Sequence, residues 1–302
     1  MRQTSLSHLA YQLQQGRLTM IFKKTKKQVR WIIGGSSGIG YELAKRYLQA
    51  GDRVCIFAHD QVEDAVSTLT EYAAKSKKGT EYIKGYQVDV LDTEQLEEVF
   101  RAAEQALSLP ATVINSAGIA IAKSFEDMSE SEFKRQIDVN LVGSRNVAYT
   151  ALPYLKEARN ENKQPAKLVL MSSMAGLIPC YGYAGYCASK YGVIGLADVL
   201  RMELSKQEGI DVAVICPPEV ETPLVFEERR VGSPITKQLK QIGGSLSVEV
   251  AVDEILAGIR GNEFFIIPGK QARKLYHLSR LMPMIVRKQV DKKLAQIISK
   301  SA

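Results

Sequence analysis

In the stretch YCASK, Tyr186 and Lys190 stand four residues apart, so on a helix they share one face. A tyrosine with a pKa of about 10 is a poor acid at neutral pH. A neighbouring ammonium favours the phenolate and lowers that value. The pair therefore reads either as packing or as a proton donor, Tyr186, that Lys190 makes usable. Ser173 ends the apolar run KLVLMSS, thirteen residues upstream. If that run is a strand of a parallel sheet, its C-terminal end faces the ligand crevice, and Ser173 and Tyr186 can both reach a substrate carbonyl. Each residue alone is compatible with a structural role. The combination with GGSSGIG at 34–40 and NSAG at 115–118 is what points to chemistry.

Those residues need a frame, and the apolar pattern supplies one. Residues 28–33 read as a buried strand running into glycines, and GIGYELAKRYLQAG follows with helical spacing up to Gly51. DRVCIFA is a second strand, 61–78 a helix, GYQVDV a third strand, 92–107 a helix and ATVINSAG a fourth strand. The alternation continues with a long helix over 129–156, the strand KLVLMSS, a helix over 184–207, the strand DVAVICP and a final strand in NEFFIIPG. Strands apolar on both faces, alternating with helices, predict a single-domain α/β fold with a doubly wound parallel sheet and helices on both sides. Residues 217–247 break the pattern and read as a loop or substrate lid.

The glycine turn sits between the first strand and the first helix. Glycine lets the backbone turn tightly and approach a phosphate, and the helix N-terminus offers N–H groups and a positive dipole end. In this strand–turn–helix setting the motif predicts a Rossmann-type dinucleotide site on Gly34, Gly38, Ile39 and Gly40, with the Ser36 and Ser37 hydroxyls beside the phosphates. An acid that would bond a ribose 2′-hydroxyl is missing at the end of the second strand, where Ala58 and then His59 stand. That favours NADP(H), with NAD(H) as the alternative.

Composition sets outer limits. Across 302 residues, 45% are hydrophobic and 24% charged, which is ordinary for a globular protein. Four cysteines without a CxxC pair favour a reducing intracellular setting, and three scattered histidines argue against a metal site. No apolar run approaches the roughly 18 residues of a membrane span, and the first residues lack a secretory-signal layout. The net charge of +7 is uneven: residues 1–30 hold seven Lys/Arg and no acid, and 270–302 hold nine Lys/Arg and Asp291. A basic extension over 1–27 and a basic tail over 270–302 thus flank an acidic body at 28–269. That distribution argues against a nucleic-acid-binding face. The tail alternates apolar and basic residues at helical spacing, with Pro283 expected to kink or split it. It predicts either a helix lying on an anionic membrane surface or one packed on the body or a second subunit. The expected location is cytoplasmic, or peripheral on the cytoplasmic membrane face.

With these motifs in view, the chain resembles the short-chain dehydrogenases/reductases with a YxxxK site, over about residues 28–269. The motifs are GGSSGIG, Asp89–Val90, NSAG, VNLVG around Asn140, Ser172–Ser173, YCASK and PPEVETP. The resemblance implies Tyr186 as general acid, Lys190 lowering its pKa and holding the nicotinamide ribose, Ser173 polarising the carbonyl and Asn140 completing a water relay. It implies Asp89 and Val90 at the adenine, Asn115, Ala117 and Gly118 along the cofactor floor, and Pro217, Val220 and Thr222 near the carboxamide. Helices 129–156 and 184–207 would build a homodimer or homotetramer. Ile33 replaces the threonine usual before the first glycine, and Pro217–Pro218 replaces a proline–glycine. Within the family, PPEVETP, KSFEDMS and GLADVLRMEL are similar to 3-ketodihydrosphingosine reductases, which implies NADPH-dependent reduction of a long-chain lipid-like ketone. The alternatives are another lipid-like carbonyl or alcohol (a 3-oxoacyl thioester, steroid or retinoid) and, from another class, an inactive cofactor-sensing module.

Overall fold

The computed structural model describes residues 27–75, 82–162, 166–231, 235–236, 238 and 244–301. Apart from Lys27, the basic extension expected over 1–27 lies outside them. Strand β1 (Val29–Ile33) runs into α1 (Gly38–Ala50), then β2 (Arg53–Ala58), α2 (Val62–Ala74), β3 (Ile83–Gln87), α3 (Thr93–Leu107) and β4 (Thr112–Asn115). Next come α4 (Glu130–Ile137), a π turn (Asp138–Val142), α5 (Gly143–Asn162), β5 (Ala166–Met171), α6 (Ala184–Gln207) and β6 (Ile210–Ile215). The chain continues through β7 (Glu219–Val220), α7 (Pro223–Val231), β8 (Ser245–Leu246), α8 (Val248–Arg260), β9 (Phe265–Ile266), α9 (Lys270–Leu281) and α10 (Pro283–Ser301).

Seven strands form one parallel sheet in the order β3-β2-β1-β4-β5-β6-β9. Alternate side chains of each strand feed two separate cores, as a sheet covered on both faces requires. Trp31, Cys55 and Phe57 point into one core with Phe100, while Ile32, Val54 and Ile56 point into the other with Leu43 and Leu69. This is the doubly wound α/β fold expected from the pattern.

Several elements differ from the expectation, each for a local reason. Strand β3 ends at Gln87, before the VDV of GYQVDV, because the Asp89 carboxylate accepts the Leu91 N–H at 2.9 Å and turns the chain. The helix expected over 129–156 is interrupted by the π turn, inside which Asn140 is fully buried. The segment 217–247 is no plain loop. It carries α7 and strand β7, which pairs in parallel with β8. Helix α8 is an element beyond those expected from the apolar pattern. It opens with Ser247 accepting the Val250 N–H at 3.4 Å. The basic tail splits at Met282–Pro283 as expected. Its first helix is joined to the body: Ala272 sits in the core, the Phe265 and Tyr276 rings meet at a tilt with centroids 5.7 Å apart, and Arg273 pairs with Glu254 at 2.6 Å.

Candidate active site

The C-terminal ends of the central strands open into a cleft of about 890 Å³. Its floor is the glycine turn. Gly34 and Gly38 have φ of +75° and +56°, which favour glycine, and a Cβ on Gly40 would lie 2.1 Å from the Gly34 carbonyl oxygen. A side chain at any of the three would fill the cradle or break it. Helix α1 opens there with no acid in its first turn, and the Ser37 hydroxyl does not cap it. The N-terminal N–H groups and the dipole thus suit an anion, so the residues present fit the pyrophosphate of a dinucleotide.

The predicted residues separate by position. Gly34, Ser36, Ser37, Gly38 and Ile39 line the cleft at one end, with His59 beside them. Asp89, Val90, Ala117, Gly118, Pro217, Val220 and Thr222 also line it, with the Thr222 side chain close against Gly38. Ser173, Tyr186 and Lys190 meet in the same cleft. Gly40, Asn115 and Asn140 stand behind the lining. Asn115 donates from Nδ2 to Ser144 Oγ at 3.0 Å and accepts the Ala117 N–H at 3.2 Å. Asn140 accepts the Ile119 N–H at 2.8 Å and donates to the Ile119 carbonyl and to Ser189 Oγ, both at 2.9 Å. With both amide hydrogens committed, its visible role is to fix the turn after β4.

Ser173 follows β5, and its hydroxyl accepts the Ala175 N–H at 3.1 Å. Helix α6 carries Tyr186 and Lys190 one turn apart beneath it. Lys190 is 3% exposed, and its ammonium donates to the Met171 carbonyl at 3.0 Å and lies 5.6 Å from the Tyr186 ring centroid. Burial lowers the Lys190 pKa to about 8. The Tyr186 phenol is not drawn down as the YCASK spacing suggested. Burial pushes it up, the Glu228 carboxylate adds to the rise, and the hydrogen bond with Ser173 opposes both. Lys190 spends its nearest contact on a backbone carbonyl, so the cost of desolvating the phenolate prevails.

Sequence reasoning missed several lining residues. Glu228 and Val225 come from α7, inside the segment read as a lid. Leu275 and Val290 come from the tail helices and add an apolar wall. Only Tyr183 had a legible signal, since it lies three residues before Tyr186 at the start of the same helix.

A family model described as short chain dehydrogenase matches residues 28–231. The chain is 34% identical to 3-dehydrosphinganine reductase TSC10B of Arabidopsis thaliana, covering 78% of this chain and 68% of that protein. It is 31% identical to 3-dehydrosphinganine reductase of Danio rerio, covering 76% and 68%. Among solved structures, a short chain dehydrogenase from Burkholderia cenocepacia in complex with NADP superposes with a TM-score of 0.69, covering 88% of this chain and 98% of that one. At 18% identity that likeness speaks for the fold alone. A family match across most of the length, with relatives above 30% identity, carries more than the fold: the chain belongs to the short chain dehydrogenases, a family of oxidoreductases.

Proposed function

We propose that this protein reduces the 3-keto group of 3-ketodihydrosphingosine, or a closely related long-chain amino ketone, with NADPH. The observation that carries the reading is the meeting of Ser173, Tyr186 and Lys190 in one cleft whose lining includes both the glycine turn and the apolar residues Val225, Leu275 and Val290. The 3-dehydrosphinganine reductases at 31–34% identity supply the substrate class. His59 after β2, with no acid at Ala58, supports the phosphorylated dinucleotide.

A reduced nicotinamide bound in the cleft supplies the hydride. The chain does the rest. Ser173 donates a hydrogen bond to the carbonyl oxygen as negative charge grows there, and Tyr186 gives that oxygen its proton. Lys190 holds a buried positive charge beneath the tyrosine, which favours the phenolate left behind. Val225, Leu275 and Val290 shape the apolar path for the chain of the substrate.

The test is cofactor oxidation with 3-ketodihydrosphingosine, NADPH and NADH side by side, in the wild type and in Tyr186→Phe. Turnover should run with NADPH and fall about 10²–10⁴-fold in Tyr186→Phe, the usual contribution of a general acid, with cofactor binding kept. Full turnover in Tyr186→Phe would sink the proton-donor role. Consumption of NADH alone would overturn the cofactor choice.

The exposed apolar residues of the tail, and those of α5 and α6, support two further parts of the proposal: contact with an anionic membrane surface and self-association.

A further inference from the structure

Ser172 and Ser173 follow β5 as a pair, and the proposed reaction uses only the second. Ser172 is 2% exposed, and its hydroxyl donates to the backbone carbonyl of Lys190 at 2.8 Å. Lys190 stands inside α6, so that carbonyl already has its place in the helical ladder, and the serine adds a bond from another element. The ammonium of the same residue donates to the Met171 carbonyl at 3.0 Å. Two adjacent residues at the end of β5 thus hold one lysine at both ends, by its backbone and by its charge. The next residue, Ser173, shares a hydrogen bond with the Tyr186 phenol. The space around the contact is cut to fit. A Cβ on Gly176 would lie 2.5 Å from Ser172 Oγ and 2.7 Å from the Lys190 carbonyl oxygen, and one on Gly118 would lie 3.2 Å from the Lys190 ammonium. The titratable groups beside that ammonium are Tyr186, on its own helix, and Cys216, which follows β6.

Resting on the reading of Tyr186 as proton donor with Lys190 as its partner, we propose that Ser172 is a positioning residue for the proton transfer: it fastens α6 to the end of β5 at Lys190, so that the ammonium stays dry beneath the Tyr186 ring. The attraction between an ammonium and a phenolate depends on their separation and on how dry the site is. Lysine carries its charge on a flexible stem, so the charge keeps one place only where contacts fix both the stem's root and its tip. Met171 fixes the tip and Ser172 the root. Gly176 leaves room for the strand end and the helix to meet there. Without the serine hydroxyl the helix is held at this point by the ammonium alone, and the charge drifts toward water in the cleft.

The test uses the full-length wild type, Ser172→Ala and Gly176→Ala, each first checked for fold by circular dichroism and for NADPH binding. Lys190 lines the cleft, within reach of a small reagent. Without cofactor, the lysines are labelled with acetic anhydride over a range of pH, and the extent at Lys190 is read by mass spectrometry. In the wild type the labelling midpoint should lie near pH 8, where burial places this ammonium, and in both variants it should move up toward 10.5. With 3-ketodihydrosphingosine and NADPH, kcat should fall about two- to tenfold in Ser172→Ala, the range for one hydrogen bond, while KM for the ketone holds. Loss of folded protein alone would lower kcat and leave the midpoint in place. An unmoved Lys190 midpoint in Ser172→Ala overturns the inference, whether or not the ketone is reduced. A moved midpoint with unchanged kcat overturns it as well. Where the wild type leaves the ketone untouched, the proposed substrate falls, and a midpoint that moves in Ser172→Ala still upholds the positioning of Lys190.

Discussion

Lys190 shows how one residue can be both motif and liability. Its ammonium is buried beneath the site, and burial brings its pKa from 10.5 to about 8. The unfolded chain keeps that proton up to about pH 10.5, whereas the folded protein releases it near pH 8. Between these limits the unfolded state binds more protons, so the contribution of Lys190 to stability rises with pH. The penalty is full below about pH 8 and gone above about 10.5, a swing of about 3 kcal/mol. Comparing urea unfolding of wild type and Lys190→Met at pH 7 and pH 10 isolates this residue. Wild type should gain on the variant as pH rises. A constant difference would mean the ammonium is not desolvated in the way its burial indicates.

At the scale of elements, the π turn between α4 and α5 matters most. It places Asn140 at full burial, where its side chain ties Ile119 to Ser189 and so fixes the loop after β4 to the helix that carries Tyr186. Single π turns of this kind occur often at functional sites. The outward faces of α5 and α6 carry large apolar side chains among charged ones: Tyr149 on α5 is 64% exposed and Met202 on α6 is 60% exposed, with Val199 also exposed. Exposed apolar side chains of this size on both helices support the proposal of an interaction surface. These are the helices expected to build a homo-oligomer, and self-association through them is proposed. Light scattering should give a multiple of the single-chain mass for wild type, and Tyr149→Asp with Met202→Asp should shift it to the mass of one chain. A monomeric wild type would rule this out.

For the whole molecule, the tail has two faces. Leu275 and Val290 complete the cleft wall and Val286 is buried. Leu281, Met284 and Ile285 project outward at 80%, 60% and 49% exposure, amid Arg280, Arg287 and Lys288. No helix among the described residues is long and apolar enough to cross a membrane. A basic face with exposed apolar residues, on the two helices that also line the cleft, supports the proposed contact with an anionic membrane. Removing residues 270–302 would strip Ala272 from the core, so point changes are the better probe. Replacing Leu281, Met284 and Ile285 by serine should abolish flotation with anionic vesicles while NADPH binding persists. Undiminished flotation would take the tail out of the account.

How much of this was legible in the chain follows from the range of the forces involved. The strand–helix alternation, the glycine turn and the span Ala184–Gln207 are written in local apolar spacing, and local spacing is enough to place Ser173, Tyr186 and Lys190 at one edge of a parallel sheet. The π turn, the helix inside the expected lid and the joining of α9 to the core depend on contacts between segments far apart in the chain, which no local period records. The same holds for charge. Sequence spacing pairs Tyr186 with Lys190 four residues away, but the fold brings Glu228, over forty residues away, to the neighbouring Tyr183 hydroxyl and buries both charged residues. Burial sets the cost of a charge and is a property of the packed molecule, so the direction in which Tyr186 titrates was decided only by the tertiary structure.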